Sequence, residues 1–426
     1  MRAAFYEKDV TPPLGGYLAG YYKNYCATDV LDTLHVRAGV FEDEGSVAAI
    51  VSIDSCEVPD DLHDAVTKRI TEYTGIPAGS VILSCNHTHK GMPIYDSPEI
   101  NAFADGPYKD VAYRLIADCV TLAYKRLNDC SVSFFEGCVE GISFNRNYVR
   151  NDGVIVTFNG PDRVRPFAGI DPALPVIFAR DAQGKPMGAI VSFACHQDTV
   201  RGDNYSGQFS HVMSDDLKRE FGEDFVTVFV PGACGDINHL PNEYGKKVPR
   251  DIYLTMGHAL SKGFMEAMKN ETPMKGGVAC KKELLTVRRR ILDTESYYRE
   301  IEEFAKEKRG FSIRNLAYYQ EQVTDPETKV WVGAARIGDA AVFAFPGEIY
   351  VNYGLDVKKR SPFKNNLVAT LCNTGCGYIA TKDCFGPNSR VYETALCFGA
   401  CLDENAGSEI CDKLIGLADL LKNSGT

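Results

Sequence analysis

Short runs that are apolar on both faces and rich in β-branched residues most constrain how this chain folds. They include Val47–Ile53, Val81–Ser84, Val132–Phe135, Val154–Phe158, Pro175–Ala179, Gly188–Ala194, Phe225–Val230, Gly277–Val287, Lys329–Ile337, Ala340–Phe345 and Leu367–Leu371. Strands of that kind need cover on both sides. The cover is supplied by helical periodicity over Asp60–Tyr73, Tyr108–Leu127, Ser214–Phe221, Arg250–Met268, Thr294–Lys308 and Ser408–Leu421. Val176–Arg180 and Pro186–Ala194 flank the polar stretch Asp181–Lys185, which reads as a β-hairpin. A mixed-sheet α/β layer fold is therefore expected, rather than a purely parallel doubly wound sheet. No GxGxxG or GxxxxGK[ST] opens a helix, which argues against a nucleotide-binding fold.

The 426 residues suffice for one large or two ordinary domains. No low-complexity tract, solenoid repeat or long Pro/Gly/Ser linker divides them, so residues 1–426 are read as a single domain. A formal net charge of −11 argues against a broad nucleic-acid or anionic-membrane surface. No stretch approaches the roughly 20 apolar residues of a membrane span, and Met1–Asp9 lacks the apolar core of a secretory signal. The 15 cysteines are odd in number. Without a signal they read as reduced thiols in a cytoplasmic protein. No CxxC occurs, and the pairs Cys372/Cys376 and Cys397/Cys401 lack zinc-finger spacing.

The chemistry sits where strands end. Val81-Ile82-Leu83 leads into Ser84-Cys85-Asn86-His87-Thr88-His89, and residues two apart on an extended chain project together. Gly188–Ala194 leads into Cys195-His196, and Phe229-Val230 into the small-residue loop Pro231-Gly232-Ala233-Cys234-Gly235-Asp236. Such a loop permits close backbone approach, for a ligand or for tight packing. Ala341–Phe345 leads into Pro346-Gly347-Glu348, a carboxylate after an apolar run. Taken singly, each has an ordinary explanation. His87 and His196 would serve as hydrogen-bonded histidines, Glu348 as a helix-start residue, and Tyr378 as core. Jointly, His, His and Glu form a ligand set that suits catalytic zinc.

These segments resemble the neutral (non-lysosomal) ceramidases, zinc amidases with an HTH motif. The resemblance lies in Asp9-Val10-Thr11-Pro12-Pro13-Leu14-Gly15-Gly16-Tyr17, His87-Thr88-His89, Asn145-Arg146 and Phe193-Ala194-Cys195-His196. It continues through Gly232–Asp236, Pro346-Gly347-Glu348, Tyr378-Ile379-Ala380-Thr381 and Tyr392-Glu393. The motifs keep the family's order from about residue 5 to about residue 395. The resemblance implies a layered αββα domain with two mixed sheets flanked by helices. It implies zinc held by His87, His196, Glu348 and Tyr378, with His89 moving protons and Arg146 and Tyr392 contacting the scissile group. The activity implied is cleavage of an amide, in N-acyl sphingosine or another N-acyl compound, by zinc-activated water. The partner is thus a small-molecule or lipid amide, and the spacing does not indicate an oligomeric state.

The chain also departs from that family. No serine stands in Pro231–Gly235, which leaves water as the expected nucleophile, and Cys234 reads as a packed thiol. Lys90-Gly91-Met92-Pro93 replaces a small Ser-Gly-Pro-Gly stretch, and Gln208 and His211 replace a usual acidic residue and glycine, adding bulk and polarity beside the expected cleft. No β-sandwich domain is expected after residue 426. Two alternatives stay open: a zinc hydrolase of a different small amide or ester, and a non-catalytic ceramidase-like binding protein. A barrel-type amidohydrolase fits poorly, because His239 and His258 do not supply the further ligands it needs.

Overall fold

The computed structural model describes residues 1–423 apart from 22, 98–101, 159–161, 240–248, 397–400 and most of 307–324. Its larger sheet contains β1 (Arg2–Asp9), β2 (His35–Asp43), β3 (Ser46–Ile53), β4 (Val81–Cys85), β5 (Asn128–Cys138), β6 (Ala173–Asp181), β7 (Pro186–Phe193) and β8 (Val226–Pro231), in the spatial order β8-β7-β6-β5-β1-β2-β3-β4. The smaller sheet runs β9 (Val278–Arg288), β10 (Glu327–Ile337), β11 (Ala340–Ala344) and β12 (Asn365–Ala369). Both are mixed: β3/β4, β7/β8 and β11/β12 are parallel and the other main pairings antiparallel. The expected hairpin is β6–β7, with Val176 opposite Val191.

Each parallel pair closes the same unit: an antiparallel hairpin, a crossover helix, then a strand beside the hairpin's second strand. The helices are α1 (Leu62–Thr74) in β2-β3-α1-β4, α3 (Gln208–Phe221) in β6-β7-α3-β8, and α6 (Val351–Arg360) in β10-β11-α6-β12. The remaining named helices are α2 (Gly106–Tyr124), α4 (Ile252–Ala267), α5 (Thr294–Lys306) and α7 (Ala406–Asn423). The helix expected over Thr294–Lys308 is α5; residues 307 and 308, and Cys397 of the second cysteine pair, lie outside the described residues.

The layers follow from which faces are apolar. Phe41, Ile50, Ile177 and Val228 of the larger sheet meet Val342 and Leu367 of the smaller one in a single buried cluster between the sheets. The outer face of the larger sheet is covered by α1 and α2 through Leu62, Val66, Ile116 and Val120, and by α3 and α4 through Phe209, Met213, Leu260 and Phe264. The outer face of the smaller sheet is covered by α6 and α7 through Val357, Ile410, Leu414 and Leu417. The result is the αββα arrangement. No described helix is long and apolar enough to cross a membrane.

Where the parallel pairs end, buried hydroxyls tie them together. Ser52 Oγ donates to the Phe229 carbonyl at 2.5 Å, Ser84 Oγ to Thr370 at 2.8 Å, and Ser192 Oγ to Val368 at 2.6 Å. The carboxyl ends of parallel strands are the usual seat of ligand sites in α/β sheets. Here those of all three units meet at one place.

Candidate metal centre

His87 follows β4, His196 follows β7, and Glu348 follows β11. Their side chains converge: Nε2 of His87 and Nε2 of His196 lie 3.1 and 3.0 Å from Glu348 Oε2. All three residues are buried, at 2–3% exposure. Tyr378 lies opposite Glu348 in a short parallel ladder of Glu348–Ile349 with Tyr378–Ile379. Its ring lies nearly parallel to that of His196 at 6.5 Å, and its hydroxyl is 3.4 Å from that of Tyr392.

The residues present fit a divalent cation. His87 Nδ1 faces the Cys56 carbonyl at 2.9 Å, and His196 Nδ1 faces the Ile237 carbonyl at 3.0 Å. A carbonyl only accepts, so each Nδ1 carries the proton and each Nε2 turns its lone pair toward the carboxylate. His87 Nε2 and Glu348 Oε2 are buried and make no hydrogen bond. A lone pair and a carboxylate oxygen facing each other without a donor, beside a second imidazole nitrogen met only by the Arg146 guanidinium, call for positive charge between them. The ionisation balance is divided between the two histidines. Burial raises the cost of charging Glu348, but His87 and His196 outweigh it and hold its carboxyl well below the usual range. Burial also opposes charge on His87, but Glu348 and Cys56 favour it; a cation on Nε2 would displace that proton. Burial and the adjacent Arg146 push His196 down to about 3, keeping its imidazole neutral as a ligand requires.

Arg146 is 2% exposed and held through all three of its guanidinium nitrogens. Its Nε donates to Glu393 Oε1 at 2.8 Å, its Nη2 to the Gly235 carbonyl at 2.6 Å, and its Nη1 lies 3.1 Å from His196 Nε2. The guanidinium carbon sits 5.3 and 4.9 Å from the ring centres of Tyr378 and Tyr392. His89 meets His87 edge to face at 5.0 Å, and both of its ring nitrogens are buried without a hydrogen-bond partner. The structure thus brings together all seven residues singled out from sequence.

They meet differently from the simple picture of alternation along a strand. β4 stops at Cys85, and His87 has φ = +67°, so the two histidines do not share one face of an extended segment. The loop is folded by its own bonds: Asn86 Nδ2 to Asp54 Oδ1 at 2.6 Å, Thr88 Oγ1 to the Ser206 carbonyl at 2.7 Å, and His89 N to the Gln197 carbonyl at 3.1 Å. Gln208 and His211 also differ from expectation, since neither adds bulk to a cleft. Gln208 is fully buried, accepting from Thr199 and Val200 and donating to Thr88 Oγ1 at 2.9 Å, which ties the two histidine loops together. His211 stacks on His35 and pairs with Asp32 and Asp215.

Sequence reasoning missed Cys56, whose Sγ lies 3.7 Å from His87 Nδ1. Burial opposes ionisation of that thiol, but His89 and His87 outweigh it and hold it at about 6. With His87 and His89, Cys56 forms a second group of closely spaced ligand atoms. The signal was available, because Cys56 stands three residues past the end of β3 as His196 stands three past β7. Asp236 was quoted without a role. It accepts from Asn145 Nδ2 at 2.7 Å and Val351 N at 2.8 Å, and so locks the Gly235 loop onto α6.

The small-residue loop serves tight packing. A Cβ on Gly235 would lie 2.4 Å from the Glu348 carbonyl oxygen and 2.9 Å from the Ile349 carbonyl carbon, and Gly235 N already donates to Ile349 O at 2.8 Å. Gly235→Ala is expected to push the Glu348 backbone out of place and to weaken the hold of His87, His196 and Glu348 on an added divalent cation by about tenfold or more, an effect on the scale of lost outer-shell support. Zinc titration against a competing chelator checks this; wild-type affinity in the variant would refute it.

No protein-family model matches the chain. Among curated proteins, neutral ceramidase of Pseudomonas aeruginosa is 25% identical over 216 residues, covering 47% of this chain and 31% of that protein. The chain thus spans under a third of the length of the curated relative it matches. Among solved structures, neutral ceramidase from Pseudomonas aeruginosa superposes with a TM-score of 0.77 at 17% identity, over 99% of this chain and 74% of that one. A ceramidase complexed with C2 gives 0.76 at 16% identity, over 99% and 75%. The chain thus has the fold of neutral ceramidase and is similar to it in sequence over about half of its length.

Proposed function

We propose that this protein is a zinc-dependent hydrolase that cleaves the amide bond of an N-acyl compound. The observation that carries the reading is the buried meeting of two imidazole lone pairs with the Glu348 carboxylate, beside an immobilised guanidinium. His87, His196 and Glu348 would hold the cation, with Tyr378 as a fourth ligand. A divalent cation there supplies Lewis acidity, polarising a carbonyl and making water a usable nucleophile near neutral pH.

The chain's own residues do the rest. Arg146, pinned by Glu393 and the Gly235 carbonyl, is a fixed donor for the oxygen that becomes negative as the carbonyl is attacked. Preorganised donors of this kind contribute about 3 kcal/mol each. Tyr392, whose ring lies under the Arg146 guanidinium, adds a hydroxyl on the same side. His89 is the proton carrier, because its ring nitrogens are buried and unbonded whereas Glu348 is committed to the two histidines. Cys234 is not the nucleophile: burial pushes its thiol up to about 12.

Zinc-loaded protein should cleave at least one member of a panel of N-acyl sphingoid bases and short N-acyl amines. Chelation should abolish turnover and added zinc restore it. Stoichiometric zinc without cleavage of any amide would favour a non-catalytic ceramidase-like binding protein instead.

A further inference from the structure

Beside the centre lies a chamber of about 490 Å³ whose lining includes Tyr21, Tyr25, Lys90, Asp198, Arg201 and His239. It adjoins the metal cluster through Tyr21, whose ring meets His89 edge to face at 5.5 Å. His239 lies two residues beyond Ile237, whose carbonyl orients His196. A groove for a long acyl chain is walled mainly by aliphatic carbon. This wall combines tyrosine rings with lysine, arginine and carboxylate groups.

Lys90 is the unusual member. It is 4% exposed, donates to the Gly202 carbonyl at 2.6 Å, and sits 4.6 Å from the centre of the Tyr21 ring. An ammonium has three N–H donors, and among the described residues no carboxylate pairs with this one. Asp198 and Asp203 line the same chamber and favour the ammonium from a distance, but neither contacts it: Asp198 accepts from the Tyr21 hydroxyl at 2.9 Å, and Asp203 is exposed. A buried cation without a contacting counter-charge is costly. An anionic group entering the chamber would relieve that cost and gain a charge-assisted hydrogen bond.

We propose that Lys90 binds the carboxylate of the substrate, which makes the preferred substrate an N-acyl amino acid or a similar N-acyl acid rather than a neutral ceramide. This rests on the amide-hydrolase reading above, but binding can be measured without turnover.

Calorimetric titration of the full chain with N-octanoylglycine, N-octanoylethanolamine and octanoate tests it. N-octanoylglycine should bind about tenfold more tightly than the neutral ethanolamide, the scale of one charge-assisted hydrogen bond. Lys90→Met should bring that ratio close to one, and Lys90→Arg should keep a preference for the acid. Equal binding of the two amides by the wild-type chain would overturn the proposal, as would an unchanged ratio in folded Lys90→Met. Octanoate binding as tightly as N-octanoylglycine would overturn it too, by assigning the chamber to the acid product. If Lys90→Met fails to fold, the wild-type ratio and Lys90→Arg decide. Selective binding without cleavage would count against the hydrolase reading and leave Lys90 only as the carboxylate-binding group of an N-acyl acid site; cleavage with no preference for the acid would keep the hydrolase reading and overturn this proposal.

Discussion

Glu348→Gln is expected, on the zinc-hydrolase proposal, to yield a folded chain that no longer retains zinc and no longer hydrolyses amides. The carboxylate is the only anion in contact with the two Nε2 lone pairs among the described residues, at 3.0 and 3.1 Å. Losing its charge should weaken the cation by more than the about 10–100-fold seen when an outer-shell partner is lost. The fold should survive, because a carboxamide NH₂ donates to the same lone pairs and satisfies atoms that otherwise face one another. Chelation should therefore lower the melting temperature of the wild-type chain and leave that of the variant unaltered. Elemental analysis, turnover and thermal melts with and without chelator check this. Full zinc content with undiminished turnover would remove Glu348 from the centre.

Much of this architecture was legible from residue pattern, because the centre is assembled from strand ends and doubly apolar strands are easily seen. β1 and β2 escaped for a physical reason. β1 carries Arg2, Glu7, Lys8 and Asp9, and β2 carries Arg37, so neither reads as an apolar run. Arg37 is nonetheless buried, paired with Glu7 at 3.3 Å and Asp54 at 3.4 Å. A charge neutralised by residues distant in sequence cannot be distinguished, in the sequence itself, from a solvated one. The threefold recurrence of hairpin, crossover helix and parallel strand was equally hidden, because it is a repetition of connection rather than of residues. Once seen, it explains the site. Cys56 and His196 stand three residues past β3 and β7 and Glu348 four past β11, and His87 and Leu371, two residues past β4 and β12 respectively, both have positive φ. Tyr378 was reachable only through the family resemblance. Its neighbour is Glu348, 30 residues away across a two-residue ladder, and no periodicity marks that pairing.

The largest effect on stability is expected at Glu393, which no metal role would single out. It is fully buried and accepts from Arg146 Nε at 2.8 Å and Thr157 Oγ1 at 2.6 Å. Glu393→Leu would leave the Arg146 guanidinium buried with its main counter-charge removed, and breaking a buried pair in this way costs about 3–5 kcal/mol. Arg146→Met should cost a similar amount, because it strands the Glu393 carboxylate. Combining Arg146→Met with Glu393→Leu removes both charges and with them the desolvation penalty, so the double variant should recover much of the loss. Activity should not follow stability. The double variant lacks the guanidinium whose Nη1 lies 3.1 Å from His196 Nε2, and with it the donor proposed for the developing oxyanion. Denaturant unfolding of the four chains gives the coupling energy, and turnover at a temperature where all are folded gives the rest. A single-variant cost below about 1 kcal/mol, which is the range of surface pairs, would show that this ion pair is relieved by water or by movement. A double variant as active as the wild-type chain would show that Arg146 holds the site together without touching the reaction.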